Sequence, residues 1–307
     1  MTIVQLEYFL AAAAYGSLTT AAEHCFVTSS ALSMQITGLE NDLGVILLDR
    51  SKKPIVLTEV GEEFIGQAKE AIAAFYKTKE QVNNIKGKLS GRLRIGVIPT
   101  ISPYLMPGFI TRFIKKCPDI KVRIYDMYTA DLVEAIALDK IDIAILSGGQ
   151  SEVKIKETDL FDDKLYVYVS PKNKLYGRKE VLIEDIEVEK LLILSEGNCL
   201  RNQTLELCMA RKDIDPQFDF VRSSLESLML TVDQISGTTV IPGMAIKSIP
   251  ENKRDRIIPF GRVNAKRKIT VAIAPTFVKE AMIKIVKETI IEVAKEDFVL
   301  SEFLIPV

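Results

Sequence analysis

The chain has 307 residues, of which 48% are apolar and 26% charged, the composition of an ordinary soluble globular protein. This length favours two or more packed units over a single domain. Its 40 basic residues nearly balance its 41 acidic ones, so no polybasic or acidic arm dominates the chain and any nucleic-acid site must be local.

The N-terminus gives no sign of export. Met1 to Gly16 is largely apolar, but it contains Glu7 and no preceding basic residue, which argues against a secretory signal peptide. No apolar run approaches the length of a membrane span. We therefore expect a cytoplasmic protein with no membrane partner.

The cysteine and histidine content excludes several classes of protein. Four cysteines, Cys25, Cys117, Cys199 and Cys208, do not make a disulfide framework in a chain of this length without an export signal, so any disulfide would be transient or regulatory. A single histidine, His24, makes a serine-type triad or a histidine-rich zinc site very hard to build. We expect no enzyme active site, no metal and no cofactor.

The first 58 residues predict three helices and two strands. Apolar residues from Leu6 to Ala13 share one helical face, and Gly16 and Ser17 then stop one helix and cap the next. Thr28 is an N-cap candidate for a third helix that runs to Asp42. The stretch Leu47–Leu57 reads as a strand, a basic turn and a strand. This order predicts an all-α helix-turn-helix with a wing over residues 1–58.

Small hydroxyl side chains on the third helix face outward, and hydroxyls can bond phosphates or either kind of base edge. The basic turn would grip phosphates. A helical subdomain with a solvated Ser/Thr face is the alternative, because this segment has three basic residues and five acidic ones. The predicted DNA-binding residues are Thr28, Ser29, Ser30, Ser33, Arg50, Lys52 and Lys53.

A long helix is predicted to follow. The stretch from Glu59 to Lys86 contains no proline, and its apolar residues alternate spacings of four and three, which is a heptad seam. Such a helix would be about 40 Å long, so pairing with a second chain is the natural way to bury it. The alternative is an amphipathic helix that lies on its own chain. The predicted dimerisation residues are Phe64, Ala68, Ala71, Phe75, Val82 and Ile85.

Beyond a hinge at Gly87–Gly91, short apolar runs alternate with helical segments, which favours α/β units with largely parallel sheets. Ligands in such folds bind beyond the carboxyl ends of strands, where Thr100 and Thr129 are found. Taken alone, each threonine also suits a turn or helix cap. The predicted strands are 93–98, 122–127, 141–146, 165–169, 191–194, 240–241, 257–258 and 269–274.

Cys199 opens a predicted helix after the run Leu191–Leu194. The helix dipole and the nearby Arg201 would both favour its thiolate, the form that attacks peroxide. On a continuous helix Cys208 would lie about 13 Å further along, so a disulfide between the two would require local unfolding. The alternative is that Cys208 is a core residue and Cys199 an ordinary helix-start residue.

Several ordered segments of the first 58 residues resemble LysR-type transcriptional regulators. One departure is Ser29, which stands where many members have Gln. The resemblance implies binding to double-stranded operator DNA, dimerisation through the linker helix (residues 59–87) and contact with RNA polymerase. The matching segments are Leu6–Phe9, Gly16–Ala22, Ser29–Ile36, Leu39–Gly44, Leu48–Arg50 and Leu57–Thr58.

The remainder, residues 88–307, resembles the two-lobed, periplasmic-binding-protein-like effector domain of these regulators. The chain would cross between the lobes near Leu160–Asp163 and Lys266–Ile269. One lobe would comprise residues 88–162 and 269–307, and the other residues 163–268.

The segment Gly197–Gln203 is similar to that of the hydrogen-peroxide-sensing members of the family, as are Ile98–Pro107, Ser224–Leu228 and Ile241–Ala245. This similarity implies that Cys199 is the peroxidatic cysteine and Cys208 the resolving one. Two residues depart from the pattern, since Asn198 replaces a histidine and Asn202 an aspartate. The implied peroxide pocket consists of Thr100, Thr129, Asn198 and Arg201.

These patterns together predict a redox-sensing regulator that acts as a homodimer or homotetramer and responds to hydrogen peroxide. The first alternative is a regulator of the same family that binds a small organic co-inducer in the interlobe cleft, with incidental cysteines. The second is a solute-binding transport protein, which the helix-turn-helix and the missing export signal oppose.

Overall fold

The computed structural model describes residues 1–85, 89–148, 155–207, 224–275, 277 and 279–298. It divides into two compact units. The first holds Met1–Leu89 together with Leu138–Lys140 and Pro275–Glu280. The second begins at Ser90 and holds the rest of the described chain. Cys208 lies outside the described residues.

The first unit has the predicted winged helix-turn-helix order. Two short antiparallel strands form the wing between the third helix and the long fourth helix. Its elements are α1 (Ile3–Tyr15), α2 (Leu18–Cys25), α3 (Ser29–Leu43), β1 (Leu48–Asp49), β2 (Val56–Leu57) and α4 (Glu59–Ile85).

The turns of this unit follow from local sequence signals. Gly16 ends α1 in the left-handed conformation, with φ at 60°, a region that glycine enters at no steric cost. The hydroxyl of Ser17 then accepts a hydrogen bond from the backbone N–H of Thr20 and caps α2. Thr28 caps α3 in the same way through the N–H of Ala31, as predicted.

The first turns of α4 pack on the helices of their own unit. Ala68 is buried in the core of the helix-turn-helix, and Phe64 packs against Phe9 with ring centroids 5.6 Å apart. Ala71 and Phe75 are exposed. Pairing of α4 with a second chain stays a prediction. The side chains of Val82 and Ile85 lie outside the described part.

The second unit is built on a seven-stranded sheet with the order β4-β3-β5-β9-β6-β7, in which β8 also pairs with β6. Its strands are β3 (Gly91–Val97), β4 (Ile120–Asp126), β5 (Ile143–Ser147), β6 (Lys156–Val169), β7 (Thr238–Pro242), β8 (Ile257–Pro259) and β9 (Lys266–Ile273). Its helices are α5 (Ser102–Lys116), α6 (Thr129–Ala137), α7 (Cys199–Leu207), α8 (Leu225–Gln234) and α9 (Glu280–Asp297).

Two expectations about this sheet are wrong. Only the pairs that β3 makes with β4 and β5 are parallel among the described strands, and the pairs involving β6 to β9 are antiparallel. The predicted strand Leu191–Leu194 is buried but forms a single bridge, from Leu191 to Thr238. The apolar run Leu191–Leu194 therefore belongs to the core but does not form a strand of the sheet.

Strands β6 and β9 bring the two predicted lobe crossings side by side. They pair antiparallel along most of their length, with a register shift between Asp159 and Phe161. Just beyond this shift Asp163 lies opposite Arg267. The register therefore places an acid and a base face to face, 104 residues apart in sequence.

The described helices include none that is long and apolar enough to cross a membrane. Within the same ranges no three His, Cys, Asp or Glu side chains are grouped so that they could hold a metal ion.

Substitution of two glycines in α4, Gly61 and Gly66, tests how tightly the first unit is packed. A Cβ on Gly61 would lie 2.2 Å from the carbonyl oxygen of Leu47, whereas one on Gly66 would have no neighbour within 4 Å. We expect Gly61→Ala to lower the free energy of unfolding by about 1–3 kcal/mol through overpacking. The matched control Gly66→Ala should raise it by about 0.5–1 kcal/mol, since glycine weakens a helix interior. Urea unfolding of both variants checks this, and equal effects would contradict it.

Candidate functional site

Cys199 is the first residue of α7, and the chain around it is fixed by side-chain caps. The Oδ1 atom of Asn198 accepts a hydrogen bond of 3.1 Å from the N–H of Leu200 and so caps the helix. Asn198 is itself buried. Gly197 precedes it with φ at +83°, and a Cβ there would contact the ring of Tyr128 at 3.3 Å. The cysteine is therefore presented on a rigid turn beside the start of α6.

The thiol of Cys199 lies beside Thr100 and Arg267. The hydroxyl of Thr100 accepts a hydrogen bond of 2.9 Å from Nη1 of Arg267 and donates one to the sulfur of Cys199. The backbone carbonyl of Thr100 accepts a second bond, of 3.1 Å, from Nη2 of Arg267. Thr100 thus links the guanidinium to the sulfur, and both groups act on the same atom.

A buried aspartate neutralises Arg267. The Nε atom of Arg267 donates to Asp163 at 3.0 Å, and both side chains are fully buried. Asp163 also accepts a hydrogen bond of 3.1 Å from the backbone N–H of Met244. Burial raises the pKa of the Asp163 carboxyl, while Arg267 and the backbone donors oppose this rise. The pair keeps a cation in a dry site next to the thiol.

The acidity of Cys199 differs from the sequence expectation. Burial raises the pKa of its thiol above the ordinary value, and Arg267, Thr100 and the N–H of Leu200 only partly offset that rise. The expectation of a lowered thiol pKa is therefore wrong for this state, because the helix start lies inside the protein. Nor is Arg201 the cation that acts most on the sulfur, since its guanidinium donates to the carbonyl of Leu194 at 3.0 Å.

Burial also raises the pKa of the thiols of Cys25 and Cys117. Cys117 is buried and Cys25 is half-buried. Among the three cysteines that the structure describes, Cys199 alone combines a buried cation with a hydroxyl that donates to the sulfur. This arrangement singles it out chemically.

Two polar atoms near this turn have no hydrogen-bond partner among the described residues. They are Oγ1 of Thr129, the first residue of α6, and Oε1 of Gln203 on α7, and both atoms are buried. Burying a polar atom without a partner is unfavourable, so each is a candidate contact for a small polar molecule. Because the ring of Tyr128 lies beside Gly197, the next residue, Thr129, is close in space to the cysteine turn.

Helix α7 is also tied to the strand β5. The Nε2 atom of Gln203 donates to the hydroxyl of Ser147 at 2.7 Å, and Ser147 is buried at the end of β5. This bond joins the predicted second lobe to the first, as the bond between Cys199 and Thr100 does. Helix α7 thus makes two polar contacts with the predicted first lobe, one to Thr100 and one to Ser147.

In the first unit, Arg50 is bound to α3. Its Nη1 atom donates to the hydroxyls of Ser33 and Thr37, at 3.2 and 3.1 Å, and its Nη2 atom to Glu40 at 2.7 Å. Glu40 also accepts hydrogen bonds from the backbone at the start of β1. Arg50 therefore joins the wing to the third helix, and its contact with phosphate stays a prediction.

The remaining predicted DNA-binding residues lie on or beside α3 and the wing. Ser30, Lys52 and Lys53 are exposed, Thr28 is exposed at the cap, and Ser29 is half-buried. Lys52 lies 3.8 Å from Asp49. Lys53 is thus the cation of the wing that is best placed for phosphate.

The raised thiol pKa predicts how Cys199 reacts with pH. A protonated thiol is unreactive, so its alkylation should rise as pH climbs through a midpoint above about 8.5, the ordinary thiol value. Thr100→Ala removes a hydrogen bond that favours the thiolate and should move the midpoint further up, whereas Thr100→Ser should not. Alkylation of the Cys199 peptide, followed by mass spectrometry against pH, measures this. A midpoint below the ordinary value would contradict it.

Two family models match this chain. Residues 3–62 match the helix-turn-helix of bacterial regulatory proteins of the lysR family, and residues 86–291 match the LysR substrate binding domain.

Relatives and solved structures agree with these matches. The chain is 32% identical over 277 residues to a hydrogen peroxide-inducible genes activator of Dickeya chrysanthemi, with 90% of each chain covered. It is 31% identical over 273 residues to the DNA-binding transcriptional dual regulator OxyR of Escherichia coli K12, covering 89% of this chain and 88% of the other.

A full-length OxyR from Pseudomonas aeruginosa, carrying a cysteine-to-aspartate substitution, superposes with a TM-score of 0.79 at 27% identity, over 98% of this chain and 99% of the other. A cysteine-to-serine mutant of Corynebacterium glutamicum OxyR with bound H2O2 gives 0.64 at 26% identity, over 96% and 93%. The chain belongs to the LysR family of bacterial transcriptional regulators.

Proposed function

We propose that this regulator senses hydrogen peroxide through Cys199 and passes the signal on by a reversible disulfide with Cys208. The observation that carries the proposal is the half-buried thiol of Cys199, which lies beside Thr100 and the buried cation of Arg267. The relatives whose names specify hydrogen peroxide, and the H2O2-bound structure of an OxyR, support the same signal. The proposed pocket comprises Thr100, Thr129, Asn198, Arg201 and, added from the structure, Arg267.

The proposed chemistry has two balanced steps. The thiol of Cys199 gives up its proton, the thiolate sulfur attacks one peroxide oxygen, the O–O bond breaks, and the departing hydroxide takes up a proton, which leaves water and a sulfenic acid. The thiol of Cys208 then displaces water from that sulfenic acid and leaves a disulfide. Arg267 and Thr100 stabilise the negative charge of the thiolate before attack, and this charge then passes to the departing oxygen in a site where water does not screen the buried cation. The unpartnered hydroxyl of Thr129 is available to bind peroxide.

The second step requires α7 to give way. Its described part runs from Cys199 to Leu207, a rise of about 12 Å along the axis, and a disulfide tolerates a Cα separation of only about 4.4–6.8 Å. The bond between Gln203 and Ser147 must break as the helix unwinds. Oxidation would then release an element that ties the two lobes together, and this is the bistable element of the proposed switch.

The remaining assignments follow the family. We propose residues 1–58 as the DNA-binding domain, 59–87 as the dimerisation helix and 88–307 as the effector domain. Two chains would present two copies of α3 to the half-sites of an operator, in the cytoplasm, and RNA polymerase would be the downstream partner.

A small co-inducer is the second candidate signal, and the same unpartnered atoms of Thr129 and Gln203 favour it. It would bind reversibly without changing either cysteine, which separates it experimentally from peroxide.

Cysteine variants test the redox proposal. Cys199→Ser should abolish the peroxide-dependent change in the DNA footprint, and Cys208→Ser should allow sulfenic acid to accumulate without a disulfide. The control variants Cys25→Ser and Cys117→Ser should respond like the parent. Peptide mapping after substoichiometric peroxide is the second readout. The proposal fails if Cys199 and Cys208 are found unlinked, or if Cys199→Ser still changes its footprint.

The sparse charge of the DNA-binding unit predicts a shallow salt dependence. With Arg50 held on α3, Lys52 and Lys53 of two chains give about four phosphate contacts, and the plot of log affinity against log salt should slope by about −4. Lys53→Ala should make that slope shallower by about two, because each contact contributes about 0.9. The exposed Lys179 of the effector domain supplies the control Lys179→Ala, which should leave the slope unchanged. Fluorescence anisotropy at several salt concentrations measures it, and an unaltered slope in Lys53→Ala would exclude Lys53 as a phosphate contact.

A further inference from the structure

The outward side of the first half of α3 is uncharged. Ser30, Met34 and Thr37 are exposed and lie on one side of the helix at spacings of four and three, with Ser33 half-buried beside them. The stretch Ser29–Thr37 contains no Asp, Glu, Lys or Arg. No side chain of this stretch of α3 can therefore select a base by its own charge.

The hydroxyls of this face are already engaged within the protein. Those of Ser33 and Thr37 accept hydrogen bonds from Arg50, and that of Ser30 bonds with the capping hydroxyl of Thr28 at 3.1 Å. To contact a base, each would have to share or exchange an existing bond. A hydroxyl can also donate or accept, so it discriminates weakly among base edges.

Met34 differs from these hydroxyl residues, because its side chain is apolar and has no hydroxyl hydrogen bond to give up. Its side chain is 72% exposed, the largest value among the exposed large apolar residues that the structure describes. It projects between Ser30 and Thr37, at the centre of the face. An apolar side chain here loses no hydrogen bond when it meets another surface, and it gains by being removed from water.

We propose that Met34 reads thymine in the operator by packing against the C5-methyl group in the major groove. The N-terminal part of a recognition helix contacts base edges, and the thymine methyl is the one apolar group that those edges offer. The flexible, polarisable thioether of methionine suits such a contact. Met34 is thus a specificity-determining residue, and the inference rests on the proposed operator binding by α3.

Replacing thymine by deoxyuridine tests the contact, because it removes only the methyl group. Operators are first selected from random duplexes by the intact, unmodified protein, and each thymine of a half-site is then replaced in turn. Binding is measured by fluorescence anisotropy for the parent, Met34→Ala and Met34→Leu. Ile46→Ala is the matched control, since Ile46 is 67% exposed and lies beyond the end of α3.

In the parent, at least one replacement should weaken binding about fourfold, the change expected for losing burial of one methyl-sized group. At that position Met34→Ala should bind thymine and deoxyuridine equally, while Met34→Leu and Ile46→Ala should keep the penalty. A penalty that persists in Met34→Ala, or a parent that is indifferent to every replacement, overturns the inference. Failure to select any operator would instead reject the proposed DNA binding. Met34→Gln, which keeps the length but not the apolar end, gives a second test if Met34→Ala does not fold.

Discussion

The ion pair between Asp163 and Arg267 is the interaction on which the rest of the site depends. Both side chains are fully buried, so each charge is tolerable only because the other is present. Removing one partner of such a pair costs about 3–5 kcal/mol, since an uncompensated charge remains. The two groups come from adjacent strands where the chain crosses twice between lobes. The paired strands β6 and β9 thus hold a buried ion pair whose cation also acts on the thiol of Cys199.

The remaining donors of Arg267 act on the sulfur through Thr100. Arg267 uses one nitrogen for Asp163 and the other two for Thr100, whose hydroxyl faces Cys199. This arrangement places a hydroxyl and a buried cation beside a half-buried thiol. Its ground state is the protonated thiol, and the charge that forms during attack meets a preorganised cation and hydroxyl.

The features that can be predicted from the sequence are those that depend on residues close together along the chain. Gly16 and Thr28 mark helix ends by their own backbone chemistry, and the structure confirms both. The sequence does not identify Arg267 and Asp163 as site residues, because no local pattern indicates that two residues 104 positions apart form an ion pair. The acidic run at Asp162–Asp163 and the basic run at Lys266–Lys268 were the available clue. The pKa of the Cys199 thiol also cannot be predicted from spacing. Spacing indicates the helix dipole, which lowers this pKa, but not the burial, which raises it more.

The hydrogen bond from Gln203 to Ser147 has a consequence for the threshold of the switch. If disulfide formation requires α7 to leave its anchors, the free energy of each anchor is added to the free energy of oxidation. For a two-electron couple about 1.4 kcal/mol corresponds to about 30 mV, so one hydrogen bond of about 1 kcal/mol makes the reduction potential about 20 mV less negative. The hydroxyl at the end of β5 lies outside the reacting atoms and still helps to set how oxidising the surroundings must become. Variation at Ser147 would let such a protein adjust its sensitivity while its cysteines stay unchanged.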